Sequence, residues 1–180
     1  QIIFGTVTAV LLAVILNEVR NRLFKKVAQS LFLLPEFISW VIVSYIVYAF
    51  LSTEYGFINR LIQSFGGEKI NFYTKPEYWR FLLTLVNVWK STGMTVVVYL
   101  ATIMGMDEQI FEAAKVDGAN RWQSIFLVMM PMLMPTVCIM VLMRVGNIFY
   151  GDFGMVYAVI GDSVMLYSTT DVIDTYVYRA

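Results

Sequence analysis

Asn87, Lys90, Ser91 and Met94 fall at i, i+3, i+4 and i+7, so on a helix they form a single stripe. The residues around them are mostly apolar, and an ionisable group in lipid costs about 2.5 kcal/mol or more, which makes each such group a functional candidate. Amide and hydroxyl groups in that stripe suit the exchange of hydrogen bonds with a hydroxyl-bearing ligand, and Trp89 beside them offers a stacking surface. Arg144 and Asn147 repeat the i, i+3 spacing farther on, and a guanidinium there attracts a carboxylate. Glu36 and Ser39 share a face in the same way. A second reading stands beside the first at each position. Lys90 and Arg144 can snorkel or pair with acids elsewhere, small polar residues can glue helices together, and Glu36 next to Pro35 can satisfy backbone groups that the proline frees.

A different chemistry sits in "FEAAKVDGANRWQSIFLVMMPMLMP", residues 111–135. Within "MDEQIFEAAKVDGAN", Asp107 is an expected N-cap, Glu108 complements the positive end of a helix, and Gly118 stands where a left-handed C-terminal residue is expected. Those signals predict one short helix over residues 107–118. Ile110, Phe111, Ala113, Ala114 and Val116 are its apolar residues, and Glu108, Glu112, Lys115 and Asp117 its charged ones. Ala113 and Ala114 permit close backbone approach, and Trp122 suits a membrane interface before the oily run begins. The polar half reads as a docking element and the oily half as its anchor. An ordinary interfacial loop that happens to be helical is the alternative. The methionines of "MMPMLM" are expected to pack adaptably around Pro131 and Pro135.

Enzymatic chemistry finds no residues to carry it. The chain has no histidine, which removes the commonest general base and metal ligand. It has no G-x-x-x-x-G-K-[ST] phosphate loop, since "FGGEK" has glycines without the spacing. No nucleophile and base pair or metal cluster emerges. Cys138 lies in an apolar run and is expected to behave as a small hydrophobe. With 13 basic and 13 acidic residues the formal charge is zero, so no global field argues for nucleic acid as a partner.

The elements that must position these groups are membrane spans. Of 180 residues 59% are hydrophobic and 14% charged, whereas a soluble domain carries about a quarter charged. Mean hydropathy is +0.69. A crossing helix takes about 20 mostly apolar residues. Four runs approach that size: about residues 2–16, 31–51, 80–104 and 125–150. Pro35 and Glu36 interrupt the second, and Pro131 and Pro135 the fourth. Arg20, Arg22, Lys25 and Lys26 crowd the first connection against Glu18, which places it in the cytoplasm. Alternation then puts the loop of residues 52–79 outside, the helix over 107–118 inside, and the segment 151–180, with Asp152, Asp162, Asp171 and Asp174, outside. The apolar "FGMVYAVIG" in that tail is too short to span and is expected to line the outer surface of the bundle. The predicted fold class is all-α: a polytopic transmembrane helix bundle, one membrane domain over residues 1–180, with a cytoplasmic helix between spans. Gln1 is no initiator methionine and the opening run lacks a signal peptide's basic flank, so the chain is expected to be a fragment truncated at both ends.

Glu112, Ala113 and Ala114, then Gly118 six positions after Glu112, then Val128, Met130 and Pro131, resemble the EAA motif of membrane permease subunits of binding-protein-dependent (type I) ABC importers. That family prefers isoleucine and leucine where Val128 and Met130 stand, a departure conservative in volume. "EAAKVDGA", with Asp117 and Ala119, is similar to the sugar-importing branch. "LPEFISWVIV", "YGFINRLI", "VWKSTGMTVVVYLA" and "TTDVIDTYVYR" look like permeases for aldouronate or other oligosaccharides, so the resemblance covers nearly the whole chain.

The resemblance implies a six-span permease of the bacterial inner (plasma) membrane, of which this fragment lacks the opening span or spans and the last one. It implies that Glu112, Ala113, Ala114, Asp117, Gly118 and Ala119 belong to a coupling helix docked on a separate cytoplasmic ATP-binding subunit. ATP and Mg would sit on that partner and no cofactor on this chain. A second permease subunit would complete the path, and an extracytoplasmic solute-binding protein would deliver a sugar or oligosaccharide. Asn87, Trp89, Lys90, Ser91, Arg144 and Asn147 would be the candidates to meet it. An ion-coupled secondary carrier or channel is the alternative; it is expected to show inverted repeats and paired midplane acids, and neither emerges. A membrane enzyme is disfavoured by the missing histidine and the absence of clustered carboxylates.

Overall fold

Lipid gives apolar helices no hydrophobic reason to associate, so they are held by close packing, and small residues mark where backbones meet. Gly5, Ala9 and Ala13 recur every four residues along α1, Ile2–Glu18, and all three are buried. The computed structural model describes residues 1–147, 152–161 and 163–179, and among these every regular element is a helix or a helical turn. After α1 come α2 (Arg22–Leu33), α3 (Trp40–Leu51), α4 (Phe57–Ser64), α5 (Trp79–Met104) and α6 (Glu108–Val116). Next are α7 (Arg121–Gly146), α8 (Phe153–Ile160) and α9 (Ile173–Arg179). By length and composition, Pro76–Met104 and Arg121–Gly146 can each cross a membrane; α1 is apolar but has 17 residues.

The expected second run, 31–51, is not one helix. α2 gives way to a 3-10 turn at Leu34–Phe37, and Ser39 caps the start of α3 by accepting from the Ile42 amide at 3.4 Å. Pro35 cannot donate an amide to a continuing ladder, and the serine offers the chain a new start. The cytoplasmic connection predicted there is partly helical, since Arg22, Lys25 and Lys26 lie in α2. The expected fourth run begins four residues earlier, at Arg121, and its positions 148–150 lie outside the described residues. Over Ser124–Met129 α7 widens into π-helical turns, the Met130 amide reaching the Ile125 carbonyl five residues back. This stretch leads directly into Pro131, whose ring cannot stand against the carbonyl four residues behind it in a regular α-helix.

The single domain expected from sequence divides into two compact units, the boundary falling inside α5. One takes Gln1–Glu36 and Val88–Asn147. Its core joins Ala9, Ala13 and Leu16 of α1 to Val96, Tyr99 and Leu100 of α5 and to Ile125, Met129 and Leu133 of α7. Gly93 of α5 brings this helix against the end of α2, where a methyl group would collide with the Phe32 carbonyl.

The other unit takes Phe37–Asn87 and the described part of 148–180. The tail segment expected to be too short to span is α8, a helix of eight residues, which buries Met155, Val156, Val159 and Ile160 in a core with Val43 and Val47 of α3. Two of the tail acids do local work: Asp152 accepts from the Met155 amide at 3.0 Å and Asp171 from the Thr175 hydroxyl at 2.5 Å. Asp162 lies outside the described residues. In the loop of residues 52–79, Trp79 is wholly buried and donates to the Phe72 carbonyl at 2.7 Å. Tyr73 packs between Trp79 and Tyr48, and burial first, then the neighbouring Tyr48 phenol, push its hydroxyl up to about 12.

Asn59 ties that loop together. At 1% exposure its amide donates to the Ser52 and Ile70 carbonyls at 3.1 and 2.9 Å, and its oxygen accepts from the Ile70 amide at 2.8 Å. Asn59→Ala leaves those backbone groups unpaired and is expected to cost about 2 kcal/mol. Limited proteolysis of residues 52–79 in the full-length protein should then run faster; an unchanged cleavage rate would show that the loop holds without it.

Candidate functional site

Helix α6 forms where local signals converge. Asp107 caps it by accepting from the Gln109 amide at 2.9 Å, and Glu108 occupies its first turn. At the other end the amides of Asp117, Gly118 and Ala119 donate to the carbonyls of Ala113, Lys115 and Ala114 at 2.9, 3.1 and 2.9 Å. Gly118 takes a φ of +83°, a left-handed conformation that L side chains rarely adopt. Thus the predicted ends, Asp107 and Gly118, bracket a helix of nine residues.

A short connection binds α6 to the long helix α7. Asn120 and Gln123 form a reciprocal capping box, each side chain accepting from the other's amide at 2.9 and 2.8 Å. Only Ala119 stands between Gly118 and the first residue of this box, so α6 and α7 meet through a short, doubly capped elbow. Arg121 makes an ion pair with Glu18 at the end of α1, holding a third helix to the same point. Phe111 packs against the core of this unit, whereas Glu112, Ala113 and Asp117 are exposed and Val116 is 88% exposed. Ala114 and Ala119 are half-buried. A cavity of about 780 Å³ opens beside α6, and Glu18, Glu108, Glu112, Lys115, Ala119 and Arg121 are on its wall. Charges of both signs, an apolar tip at Val116 and a rigid mount suit a protein partner more than a single small ion.

The polar residues of the spans do not share one environment. Asn87 is half-buried and donates to the Met155 sulfur at 3.6 Å. Lys90 is 9% exposed and its ammonium donates to the Glu36 main-chain carbonyl at 2.9 Å. Ser91 is half-buried, and its hydroxyl oxygen has no hydrogen-bond partner among the described residues. Trp89 and Met94 are 45% and 50% exposed. Glu36 accepts from Lys90 through its main-chain carbonyl, and its buried carboxylate Oε2 has no hydrogen-bond partner among the described residues.

Arg144 is half-buried near the end of α7, and its Nη2 donates to the Thr95 hydroxyl at 2.7 Å. No carboxylate pairs with it among the described residues. Asn147 is exposed and ends the helix, its amide donating to the Arg144 carbonyl at 3.2 Å. The stripe read from the sequence missed Thr95, although it continues the Asn87–Ser91 spacing by one further step of four. The Glu18–Arg121 pair carries no local signal, because it joins residues 103 positions apart in the chain. Among the described residues no group of three His, Cys, Asp or Glu side chains converges to hold a metal.

Residues 3–180 match the family described as "Binding-protein-dependent transport system inner membrane component". The chain is similar to the polygalacturonan/rhamnogalacturonan transport system permease protein YteP of Bacillus subtilis (strain 168), 39% identical over 171 residues, or 95% of this chain and 53% of that protein. It is similar in structure to a chain in the crystal structure of a bacterial alginate ABC transporter in complex with an alginate pentasaccharide-bound periplasmic protein. There the TM-score is 0.91 at 37% identity, over 99% of this chain and 61% of that one. A second such structure, of a bacterial ABC transporter involved in the import of the acidic polysaccharide alginate, gives the same TM-score and identity over 98% of this chain and 61% of that one. The chain spans about half the length of the curated relatives it matches. With a family match across nearly all its length and helices that are long and apolar enough to cross a membrane, the chain belongs to the inner membrane components of binding-protein-dependent transport systems.

Proposed function

We propose that this chain is the membrane-embedded part of an ABC importer permease, through which an acidic oligosaccharide passes. On this reading α6 is the coupling helix. Glu112, Ala113, Ala114, Asp117, Gly118 and Ala119 meet a separate cytoplasmic ATPase, which holds ATP and Mg, and a second permease subunit and an extracytoplasmic binding protein complete the assembly. The observation that carries it is the mount of α6: a capped, exposed helix joined to α7 through a short connection closed by a reciprocal capping box, which suits passing a push from one to the other. The acidic character of the cargo draws support from Arg144, a guanidinium with no paired carboxylate among the described residues, and from the alginate carried by the structurally similar importers.

Among the other candidates Ser91 retains an uncommitted buried hydroxyl oxygen, and Trp89 an exposed ring. Lys90 and Asn87 are engaged within the protein, and their contribution is to helix packing as much as to the path. Replacing Arg144 with alanine in the full-length transporter, reconstituted with its partners, tests the reading. A charge-assisted hydrogen bond to cargo is worth about 1.5–3 kcal/mol, so transport of a uronate oligosaccharide should fall at least about tenfold more than that of a neutral one of equal length. Equal losses for both would remove the charge argument.

A further inference from the structure

We infer that Thr95 and Gly5 are positioning residues that aim the Arg144 guanidinium, and thereby set how strongly the path prefers acidic over neutral cargo. The inference rests on the proposed role of Arg144 and adds what holds it. One hydrogen bond and one gap, on different helices, set the place of the guanidinium. From α5, the Thr95 hydroxyl accepts from Nη2 at 2.7 Å, and Thr95 is 4% exposed, so its side chain is fixed by its surroundings. The same hydroxyl donates to the Ser91 carbonyl at 3.5 Å, which turns its proton away and leaves lone pairs toward the arginine. From α1, Gly5 leaves room where a methyl group would stand 2.9 Å from Nη1.

A guanidinium is planar, so the hydrogen bond at Nη2 restricts the plane of its fork, and the missing side chain at Gly5 leaves Nη1 the room to lie in it. Thr95 is neutral. It occupies one of five N–H donors without cancelling the charge, and the remainder stay available for a carboxylate arriving on the other edge. An acid in place of Thr95 would have closed the site with a salt bridge. The hydroxyl orients the cation and leaves it without a carboxylate among the described residues, in surroundings where an unpaired cation is costly and an anionic ligand is correspondingly favoured.

The experiment compares Thr95→Val, Thr95→Ser and Gly5→Ala with Arg144→Ala in the full-length transporter reconstituted with its partner subunits. It measures transport of a uronate oligosaccharide and of a neutral oligosaccharide of equal length. The readout is the acidic-to-neutral ratio, which a loss of folded protein does not move. Thr95→Val keeps the shape and removes the acceptor, and should lower the ratio about fivefold, as expected for one hydrogen bond. Gly5→Ala should lower it as well, Thr95→Ser should restore it, and Thr95→Val added to Arg144→Ala should lower it no further. A normal ratio in Thr95→Val while Arg144→Ala lowers it would overturn the positioning role and leave the reading of Arg144 standing. An unchanged ratio in Arg144→Ala would overturn both. Equal losses of both substrates in Thr95→Val would make the bond a tie between helices and overturn the inference.

Discussion

On the proposed coupling role of α6, Glu112→Lys and Gly118→Val are each expected to reduce ATP-driven uptake at least tenfold while the protein remains inserted in the membrane and soluble as a single species in detergent. The two substitutions act by different physics on the same helix. Glu112 is exposed, so reversing its charge alters only what α6 presents to a partner; unlike charges brought together at an interface cost little, and like charges several kcal/mol. Gly118 has open space around it, with nothing within 4 Å of an added Cβ, so valine meets no steric neighbour there. Its cost is conformational: at φ +83° a side chain is unfavourable by about 1–2 kcal/mol, and a β-branched one by more. The elbow between α6 and α7 would shift to relieve it, although α7 itself is untouched. Uptake, ATP hydrolysis and co-purification of the ATPase with the full-length protein measure the result. Coupled transport at wild-type levels in both variants would defeat the docking role of α6.

Gly93→Ala is expected to abolish accumulation of folded protein. Its Cβ would collide with the Phe32 carbonyl and lie 3.0 Å from the Leu33 amide nitrogen, both main-chain atoms at the end of α2. No rotamer change relieves a clash with backbone, so α2 and α5 must separate, and the packing beneath them is lost. Overpacking a well-filled interior costs about 1–3 kcal/mol even where side chains can yield. Gly146→Ala is the control, since a methyl there meets nothing within 4 Å and should be neutral. Equal yields of monodisperse Gly93→Ala and Gly146→Ala protein after detergent extraction would show that α2 does not approach α5 so closely.

Features that act on their own neighbourhood were legible in the chain, and the reason is physical. α5 begins one residue before the expected run of 80–104 and ends with it, because apolar length decides a crossing helix before any partner is known. Both ends of α6 were marked by residues that act on their own backbone, Asp107 through its carboxylate and Gly118 through its φ. The break at residues 34–39 was half visible: Pro35 stood in the run, and the restart at α3 uses a local cap, Ser39, that the apolar length of 31–51 masked.

By itself the sequence determined an all-helical membrane chain and both ends of α6, since hydropathy and caps act within a few residues. Only the tertiary structure decided that 153–160 is core against α3, that Lys90 serves a carbonyl, and that Arg144 meets Thr95 with Gly5 making room. Those outcomes depend on which helical faces meet, and a helix's period leaves its faces equivalent until packing chooses among them.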